Sequence, residues 1–249
     1  MRVIFHEEFY QVYTYDPAAE AGRMEAVVEV IRPQVEFITA EVARIEDIAA
    51  VHSQRHIDSV REQGLYDVAA LAAGGAIQAA RRGLEEPCFA LIRPPGHHAS
   101  ADSAWGFCFF NNMAVALTHL KRAGLIQSAY VLDIDLHFGD GTVNILDGLD
   151  WVRVYNVAAH DRQWYVREVL DEMKHCQADI IGISAGFDNH AQDWGGVLET
   201  EDYHAIGESV RAATLRSGGG CFALLEGGYN HKVLGSNVLA LIKGLSTQP

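Results

Sequence analysis

Apolar and polar positions alternate along this chain in two kinds of segment. Short apolar runs bounded by glycine or charged residues are typical of buried strands, and they lie at 88–92, 129–132, 179–184 and 222–225, with a first strand at 1–8. Longer segments with helical character separate them, at 68–82, 111–122, 164–174 and 200–216. This alternation predicts an α/β fold in which a central, mostly parallel sheet is covered by helices on both faces.

Glycine and capping residues mark several of the predicted helix ends. Gly83 follows the first of these helices, and Gly218-Gly219-Gly220 follows the last one. The triple glycine precedes its strand, so it is not a dinucleotide-binding fingerprint, which follows a strand. Thr200 is the predicted N-cap of the last of these helices, with Glu201 and Asp202 in its first turn.

The composition is that of an ordinary globular protein. The chain has 249 residues, of which 49% are hydrophobic and 21% charged, and it shows no repeat and no linker. We therefore expect residues 1–249 to form a single domain. The sequence shows neither an apolar run of membrane-spanning length nor a signal-peptide pattern at its start.

Charge and cysteine content limit which ligands the protein is expected to bind and where in the cell it is expected to lie. The net charge of −14 argues against nucleic acid as a partner and mildly favours cationic ligands, although the acids could equally serve solubility alone. The four cysteines are widely spaced and form no CxxC pair. Neither a disulfide framework nor a thiolate zinc site is indicated, and we expect a cytoplasmic location without membrane association.

The segment 133–141, DIDLHFGDG, is the most informative stretch of the chain. It begins where an apolar run ends, and the period of two along a strand points Asp133, Asp135 and His137 to the same face. A buried structural role would require a partner for each carboxylate, because an unpaired buried carboxylate is very costly. The pattern therefore favours a metal site over a purely structural acid cluster.

Polar clusters follow directly on four of the predicted strands. In open parallel sheets, ligands bind outside the carboxyl ends of the strands. We therefore expect histidines, aspartates and a tyrosine from four separate segments to meet at one edge of the sheet. The four segments are 93–98, 133–140, 185–190 and 226–230.

Spacing narrows the metal chemistry to one ion. A binuclear site would need a further ligand two residues beyond His137, where the chain has Gly139. Asp135, His137 and the distant Asp188 form a mononuclear set with open positions, which is typical of catalytic zinc. Two carboxylates leave the ion formally neutral, so that it needs help from nearby bases and oxyanion donors. The candidates for that help are His97, His98 and Tyr229.

Five motifs resemble those of the histone deacetylase / acetylpolyamine amidohydrolase family and occur in the family's order. Their sequences are most similar to its class II-like bacterial branch. They are RPPGHHA at 93–99, GFCFFNN at 106–112, DIDLHFGDG at 133–141, SAGFDNH at 184–190 and EGGYN at 226–230. The resemblance implies the arginase/deacetylase-like three-layer α/β fold. It also implies zinc, in some members iron(II), and hydrolysis of acetylated amines.

The resemblance assigns roles to single residues. Asp135, His137 and Asp188 match the metal ligands. His98 matches the group that takes a proton from the attacking water and later gives it to the leaving amine, and Asp140 matches the carboxylate that orients it.

Further roles follow from the same resemblance. His97 matches a second, mainly electrostatic histidine paired with Asp133. Asp133 and the backbone carbonyls of Asp135 and His137 match part of a structural potassium site.

The substrate pocket is implied in the same way. Tyr229 matches the tyrosine that polarises the acyl carbonyl and stabilises the oxyanion. Phe107 matches one aromatic wall of the tunnel, and Gly106 and Gly228 are expected to border the substrate.

The chain also departs from the family pattern. Phe138 replaces the second histidine of the usual DxHHGDG motif, and the loops at 64–68 and 156–164 are short. The second tunnel wall is therefore unassigned, with three candidates: Tyr155, Trp164 and Tyr165. We expect a shallower, more open site, or one that a neighbouring subunit completes in a homo-oligomer.

The sequence thus predicts a zinc-dependent amidohydrolase that removes acetyl or another short acyl group from acetyl-lysine or an acetylated polyamine. One alternative is a catalytically silent ligand-binding member of the fold, and another is a hydrolase of a different small-molecule amide. A binuclear arginase-like ureohydrolase is a further alternative, against which Gly139 argues.

Overall fold

Seven parallel strands form a single sheet in the computed structural model, which describes residues 1–247. The order across the sheet is β2-β1-β3-β7-β6-β4-β5. The strands are β1 (Arg2–Phe5), β2 (Glu36–Thr39), β3 (Cys88–Ala90), β4 (Ala129–Asp133), β5 (Val152–Asn156), β6 (Ile180–Ala185) and β7 (Gly220–Leu225). Every pairing between these strands is parallel.

Two groups of helices flank this sheet. The helices of residues 1–247 are α1 (Arg23–Ile31), α2 (Ile45–Ile48), α3 (Gln54–Glu62), α4 (Tyr66–Gly83), α5 (Asn112–Arg122), α6 (Asp140–Leu146), α7 (Arg162–His175), α8 (Thr200–Ser217) and α9 (His231–Leu245). Helix α4 packs on β1, β3 and β7 with α5 beside it, whereas α8 packs on β6 and β7 between α7 and α9, and α1 packs on α9. The three-layer α/β fold predicted from the sequence is therefore confirmed.

The alternation of apolar and polar segments located β1, β3, β4, β6 and β7 and helices α4, α5, α7 and α8, with small shifts at their ends, and Gly83 is the last residue of α4 rather than the residue after it. The other elements of residues 1–247 were not predicted: β2, β5, α1, α2, α3, α6 and α9. One helix start is wrong: the N-cap of α8 is Glu199 rather than Thr200, which is already helical. The carboxylate of Asp202 accepts the backbone N–H of Glu199 at 2.8 Å, so the third residue of the helix closes its first turn.

The four strands that carry polar clusters are neighbours in the middle of the sheet, in the order β3-β7-β6-β4. Their carboxyl ends lie level, because Asp133 pairs with Ser184 and Ser184 with Leu224, which in turn pairs with Ala90. All four strands are buried along their whole length. The clusters at 93–98, 133–140, 185–190 and 226–230 therefore leave the sheet side by side.

Burial separates the central strands from the edges of the sheet. The edge strand β2 is only half-buried to exposed, whereas apolar side chains of the central strands join one continuous core. The four cysteines lie in the described part of the chain, and all are buried free thiols. Among residues 1–247, every helix falls short of the length and apolar content that crossing a bilayer requires.

Helices α8 and α9 cross at a contact between two glycines. A Cβ atom on Gly244 would lie 2.2 Å from the backbone oxygen of His204, and one on Gly207 would lie 2.7 Å from that of Leu241. Backbone atoms cannot move aside as a side chain can, so the two glycines set the distance between these helices.

We predict that Gly244→Ala lowers the free energy of unfolding by about 1–3 kcal/mol, because the overlap outweighs the gain in helix propensity. Urea denaturation followed by circular dichroism measures this loss. Lys243→Ala, on the exposed side of the same helix, is the matched control and should change stability by less than about 0.5 kcal/mol. Equal stability of the two variants would contradict the role of the glycine contact.

Candidate active site

Three side chains at the carboxyl edge of the central strands can offer ligand atoms to one metal ion. Ligand atoms of Asp135, His137 and Asp188 all lie within 4.8 Å of one another. Both carboxylates are buried, while His137 is partly open to the pocket. Strand β4 ends at Asp133, so Asp135 and His137 lie on the bent segment that follows, and the strand period does not extend to them. They nevertheless face the same centre.

Backbone N–H groups fix the two carboxylates. Oδ1 of Asp135 accepts the N–H of His137 at 2.9 Å, and its Oδ2 accepts the N–H of Gly227 at 2.9 Å. Oδ1 of Asp188 accepts the N–H of Leu136 at 3.1 Å. The segments that follow β4, β6 and β7 are thereby tied to each other through the same acids.

The space around these carboxylates fits an ion. A Cβ on Gly227 would lie 2.6 Å from Oδ2 of Asp135 and 2.7 Å from Oδ2 of Asp188, and a Cβ on Gly186 would lie 2.1 Å from Oδ2 of Asp135. Oδ2 of Asp188 is buried and has no hydrogen-bond partner, although Nδ1 of His137 lies 3.1 Å away. Two buried carboxylates with an unused oxygen require positive charge, which a divalent ion provides.

Gly139 also lies against an acid of the site. A Cβ at this position would lie 2.2 Å from Oδ2 of Asp133. A metal-binding side chain would therefore displace Asp133, which gives a steric reason for the missing second-ion ligand.

The pKa values show how strongly these groups interact. Contacts with the carboxylates of Asp135 and then of Asp188 raise the pKa of His137 to about 10. Burial, followed by the charge of Asp135, raises the pKa of Asp188 to about 7. The site therefore favours a positive charge at its centre.

Two adjacent histidines border the same pocket, and each contacts its own carboxylate. Nδ1 of His97 lies 3.1 Å from Oδ2 of Asp133, and Nδ1 of His98 lies 2.7 Å from Oδ1 of Asp140. The imidazole rings pack with their centroids 4.0 Å apart. Since both Nδ1 atoms are occupied, Nε2 of His98 is left for chemistry in the pocket.

The two histidines have opposite protonation tendencies. Burial opposes the charged form of His97, but Asp135 and Asp133 outweigh it and raise its pKa well above the ordinary value. Burial, followed by the charge on His97, lowers the pKa of His98 to about 4. Near neutral pH, His97 is therefore a cation and His98 a neutral proton acceptor.

Tyr229 lines the same pocket as the histidines. Oδ2 of Asp193 accepts the backbone N–H groups of Tyr229 and Asn230 at 2.8 and 2.7 Å, which fixes this turn. Burial, followed by the charges of Asp135 and Asp188, raises the pKa of the Tyr229 hydroxyl far above its usual range. The hydroxyl therefore keeps its proton and can act only as a neutral donor toward a developing oxyanion.

Aromatic rings line a small cavity of about 100 Å³. Phe107 packs edge-on against Tyr229 at a centroid distance of 6.0 Å, and Trp194 stacks on Tyr229 at 4.1 Å. The ring of Trp194 also lies edge-on to His137 at 6.1 Å. Gly106 lines the cavity as expected, together with Pro95, Trp105 and Gly227, whereas Gly228 does not line it.

None of the three candidates for the second wall lines this cavity. The hydroxyl of Tyr165 is buried against the carbonyl of Ile134, and that of Tyr155 donates to Glu168. Trp164 is 62% exposed and packs on Arg167. The second wall is instead Trp194, which the sequence analysis missed.

Sequence reasoning missed Trp105 as well as Trp194, and it gave no role to Glu226 or Arg23. The two tryptophans could have been found from their place in the sequence, because each lies beside a motif. Trp105 directly precedes GFC, and Trp194 follows SAGFDNH. Oε2 of Glu226 accepts the N–H of Gly96 at 2.6 Å, and Nε of Arg23 donates to the carbonyl of Gly228 at 2.8 Å. Glu226 carried the same signal as the first residue of EGGYN, whereas Arg23 lies outside the motifs and carried none.

Comparison with known proteins places the chain among the deacetylases. The family model described as "Histone deacetylase domain" matches residues 18–166 and 156–245. A probable deacetylase of Methanothermobacter thermautotrophicus is 28% identical over 98% of this chain and 90% of its own length. A histone deacetylase-like amidohydrolase of Pseudomonas aeruginosa is 28% identical over 90% of this chain and 74% of its own length.

Two further relatives extend this range. The human polyamine deacetylase HDAC10 is 25% identical over 85% of this chain and 41% of its own length. The crystal structure of the HDA15 HD domain superimposes with a TM-score of 0.84 at 23% identity, over 98% of this chain and 88% of that one. The fold is thus shared with that domain, and the family model spans most of the sequence. This chain belongs to the histone deacetylase family.

Proposed function

We propose that this protein is a metal-dependent hydrolase that removes acetyl or another short acyl group from acylated amines. The observation that carries the proposal is one pocket bordered by three kinds of group. These are an Asp-His-Asp cluster able to hold a divalent ion, a neutral His98 oriented by Asp140, and a protonated Tyr229. Zinc is the proposed ion, and iron(II) is the alternative.

The side chains divide the reaction between them. Asp135, His137 and Asp188 would hold the ion, which when bound polarises the acyl oxygen and makes water more acidic. His98 accepts at Nε2 the proton of the attacking water, and the Tyr229 hydroxyl donates to the oxygen of the tetrahedral adduct. The proton on His98 then passes to the amine nitrogen as the C–N bond breaks, which releases a carboxylic acid and an amine.

His97 stays protonated throughout this sequence. Its Nδ1 is held by Asp133, so its contribution is a fixed positive charge close to the reacting centre. That charge favours the neutral form of His98 and stabilises the negative charge that builds up in the transition state.

The names of the relatives indicate two substrate classes. Proteins named histone deacetylase, amidohydrolase and polyamine deacetylase all match this chain, so acetyl-lysine and acetylated polyamines are both proposed substrate classes. The aromatic walls of Phe107 and Trp194 suit the aliphatic stem next to such an amide.

The domain organisation, location, potassium site and assembly of the protein are also proposed or predicted. Residues 1–249 are proposed to form one catalytic domain, supported by the single continuous core. The cytoplasm is the proposed location, supported by four free thiols. A structural potassium ion near Asp133, Asp135 and His137 and assembly into a homo-oligomer stay predictions.

We predict that one zinc ion binds per chain and that binding at about pH 8 releases about one proton, because His137, with a pKa of about 10, must lose its proton to become a ligand. Zinc affinity should therefore fall as the pH is lowered. Isothermal titration calorimetry in buffers of different ionisation enthalpy measures both quantities. Asp188→Asn, which keeps size and removes charge, is the matched control. Unchanged affinity in this variant, or two ions per chain, would contradict the proposed ligand set.

We predict that Tyr229→Phe lowers kcat by about a hundredfold or more while zinc content stays at one ion per chain. The variant retains the ring that packs between Phe107 and Trp194 and removes only the donor hydroxyl. Steady-state kinetics together with metal analysis separates the two effects. An unchanged kcat would remove Tyr229 from the mechanism.

We predict release of acetate from an acetyl-lysine peptide, an acetylated polyamine, or both, by the zinc-loaded protein. The Asp188→Asn variant should release none, because it lacks one ligand charge. The ratio of kcat/KM between the two substrates assigns the natural class. Stoichiometric zinc without cleavage of any acylated amine would favour the alternative of a catalytically silent ligand-binding protein.

A further inference from the structure

Trp105 contacts both members of the pair formed by His98 and Asp140. Its indole ring lies over the His98 imidazole, with the ring centroids 3.8 Å apart and the planes 31° apart. Its Nε1–H donates to Oδ2 of Asp140 at 2.9 Å, while Oδ1 of the same carboxylate lies 2.7 Å from Nδ1 of His98. The carboxylate therefore bridges the two rings, one on each oxygen.

The backbone after Trp105 is shaped to hold this contact. Gly106 and Phe107 both have positive φ values, 58° and 68°, and the N–H of Cys108 donates to the carbonyl of Trp105 at 3.1 Å. A Cβ on Gly106 would lie 2.3 Å from Cδ2 of His98. A non-glycine residue in the left-handed region is uncommon, so the tight turn that returns the indole over His98 is a specific feature of this loop.

Asp140 needs such a second contact because it lies at the surface end of the pair. Its side chain is 35% exposed, whereas that of His98 is 4% exposed. Burial opposes ionisation, but hydrogen bonds from Trp105 and then from His98 lower the pKa of Asp140. With only one oxygen held, this carboxylate could rotate toward water and leave Nδ1 of His98 without its partner.

The ring of Trp105 has a second effect on His98. The imidazole is packed between the ring of His97 at 4.0 Å and the indole at 3.8 Å. The indole itself is 56% exposed, so it forms the outer cover of the imidazole toward solvent. Its removal would open that side of His98 to water.

We propose that Trp105 is a positioning residue that acts through Asp140: its indole N–H holds the carboxylate, and thereby His98, in the orientation needed for proton transfer. This inference rests on the proposed hydrolase function. It assigns to a tryptophan the third place in a Trp105–Asp140–His98 chain of hydrogen bonds.

The test compares two conservative variants. Trp105→Phe keeps an aromatic face over His98 but removes the N–H, and kcat should fall about tenfold, as for losing a hydrogen bond to a charged acceptor. KM should change by less than about twofold, because the lost contact serves proton transfer and not ground-state binding. Trp164→Phe is the matched control, because Trp164 is also exposed and its ring packs beside Arg167. The kcat of this variant should equal that of the native protein.

A double-mutant cycle separates action through Asp140 from a general structural effect. In an Asp140→Ala background, Trp105→Phe should cause no further loss of kcat, because the acceptor of the indole N–H is already absent. A full additional tenfold loss in that background, or a native kcat in the single variant, would overturn the proposal. A rise in KM without a change in kcat would also overturn it and assign Trp105 to substrate binding.

NMR spectroscopy tests the hydrogen bond between Trp105 and Asp140 without measuring enzyme activity. The indole ¹H–¹⁵N resonance of Trp105, assigned by its loss in Trp105→Phe, should shift in Asp140→Ala, and the Trp164 resonance should not. No shift would overturn the hydrogen bond itself. If the shift occurs but the native protein cleaves no acylated amine, the proposed function fails, and the positioning role falls with it. An active native protein with an unaffected Trp105→Phe variant refutes the positioning role alone.

Discussion

Two carboxylates buried side by side at the carboxyl edge of a parallel sheet are the constraint on which the rest of this structure depends. Asp135 and Asp188 share a centre with His137 and are held by backbone N–H groups from two segments, the one after β4 and the one after β7. Like charges at this distance in a buried site are tolerated only with nearby positive charge. Gly186 and Gly227 let the two carboxylates lie this close to the backbone, because a Cβ at either position would overlap a carboxylate oxygen.

The same negative field explains why two adjacent histidines differ. His97 lies closest to the acids, with Nε2 at 3.8 Å from Oδ1 of Asp135, and is held as a cation. That cation, together with burial, keeps His98 neutral. One electrostatic cause thus yields a fixed positive charge and a proton acceptor on neighbouring residues, which is the division of labour that amide hydrolysis requires.

Sequence patterns predicted a mostly parallel sheet and the segments that meet at its edge, because buried strands and chain-local motifs leave a period and a spacing. They predicted neither the order of the strands nor the half-exposed strands β2 and β5 at the sheet edges. They could not show that Trp105 and Trp194 fold back over His98 and Tyr229, since those contacts depend on the path of loops. The assignment of the second wall failed for this reason: Tyr155, Trp164 and Tyr165 were candidates by position, but Trp194 reaches the pocket from the loop after β6. The N-cap at Glu199 was missed because Thr200 has the stronger intrinsic preference, and the bond from Glu199 to Asp202 decides the helix start.

Hydrolysis at a metal-dependent centre is the central claim, and isotope incorporation tests it most directly. An acetyl-lysine peptide and an acetylated polyamine would be incubated in H₂¹⁸O with zinc-loaded protein, and with the same preparation after chelation. Hydrolysis predicts acetate that carries one ¹⁸O atom, formed together with an equal amount of free amine, and a loss of both products after chelation that zinc restores. Acetate formation that is insensitive to chelation, or zinc-loaded protein that forms no labelled acid from either amide, would contradict it.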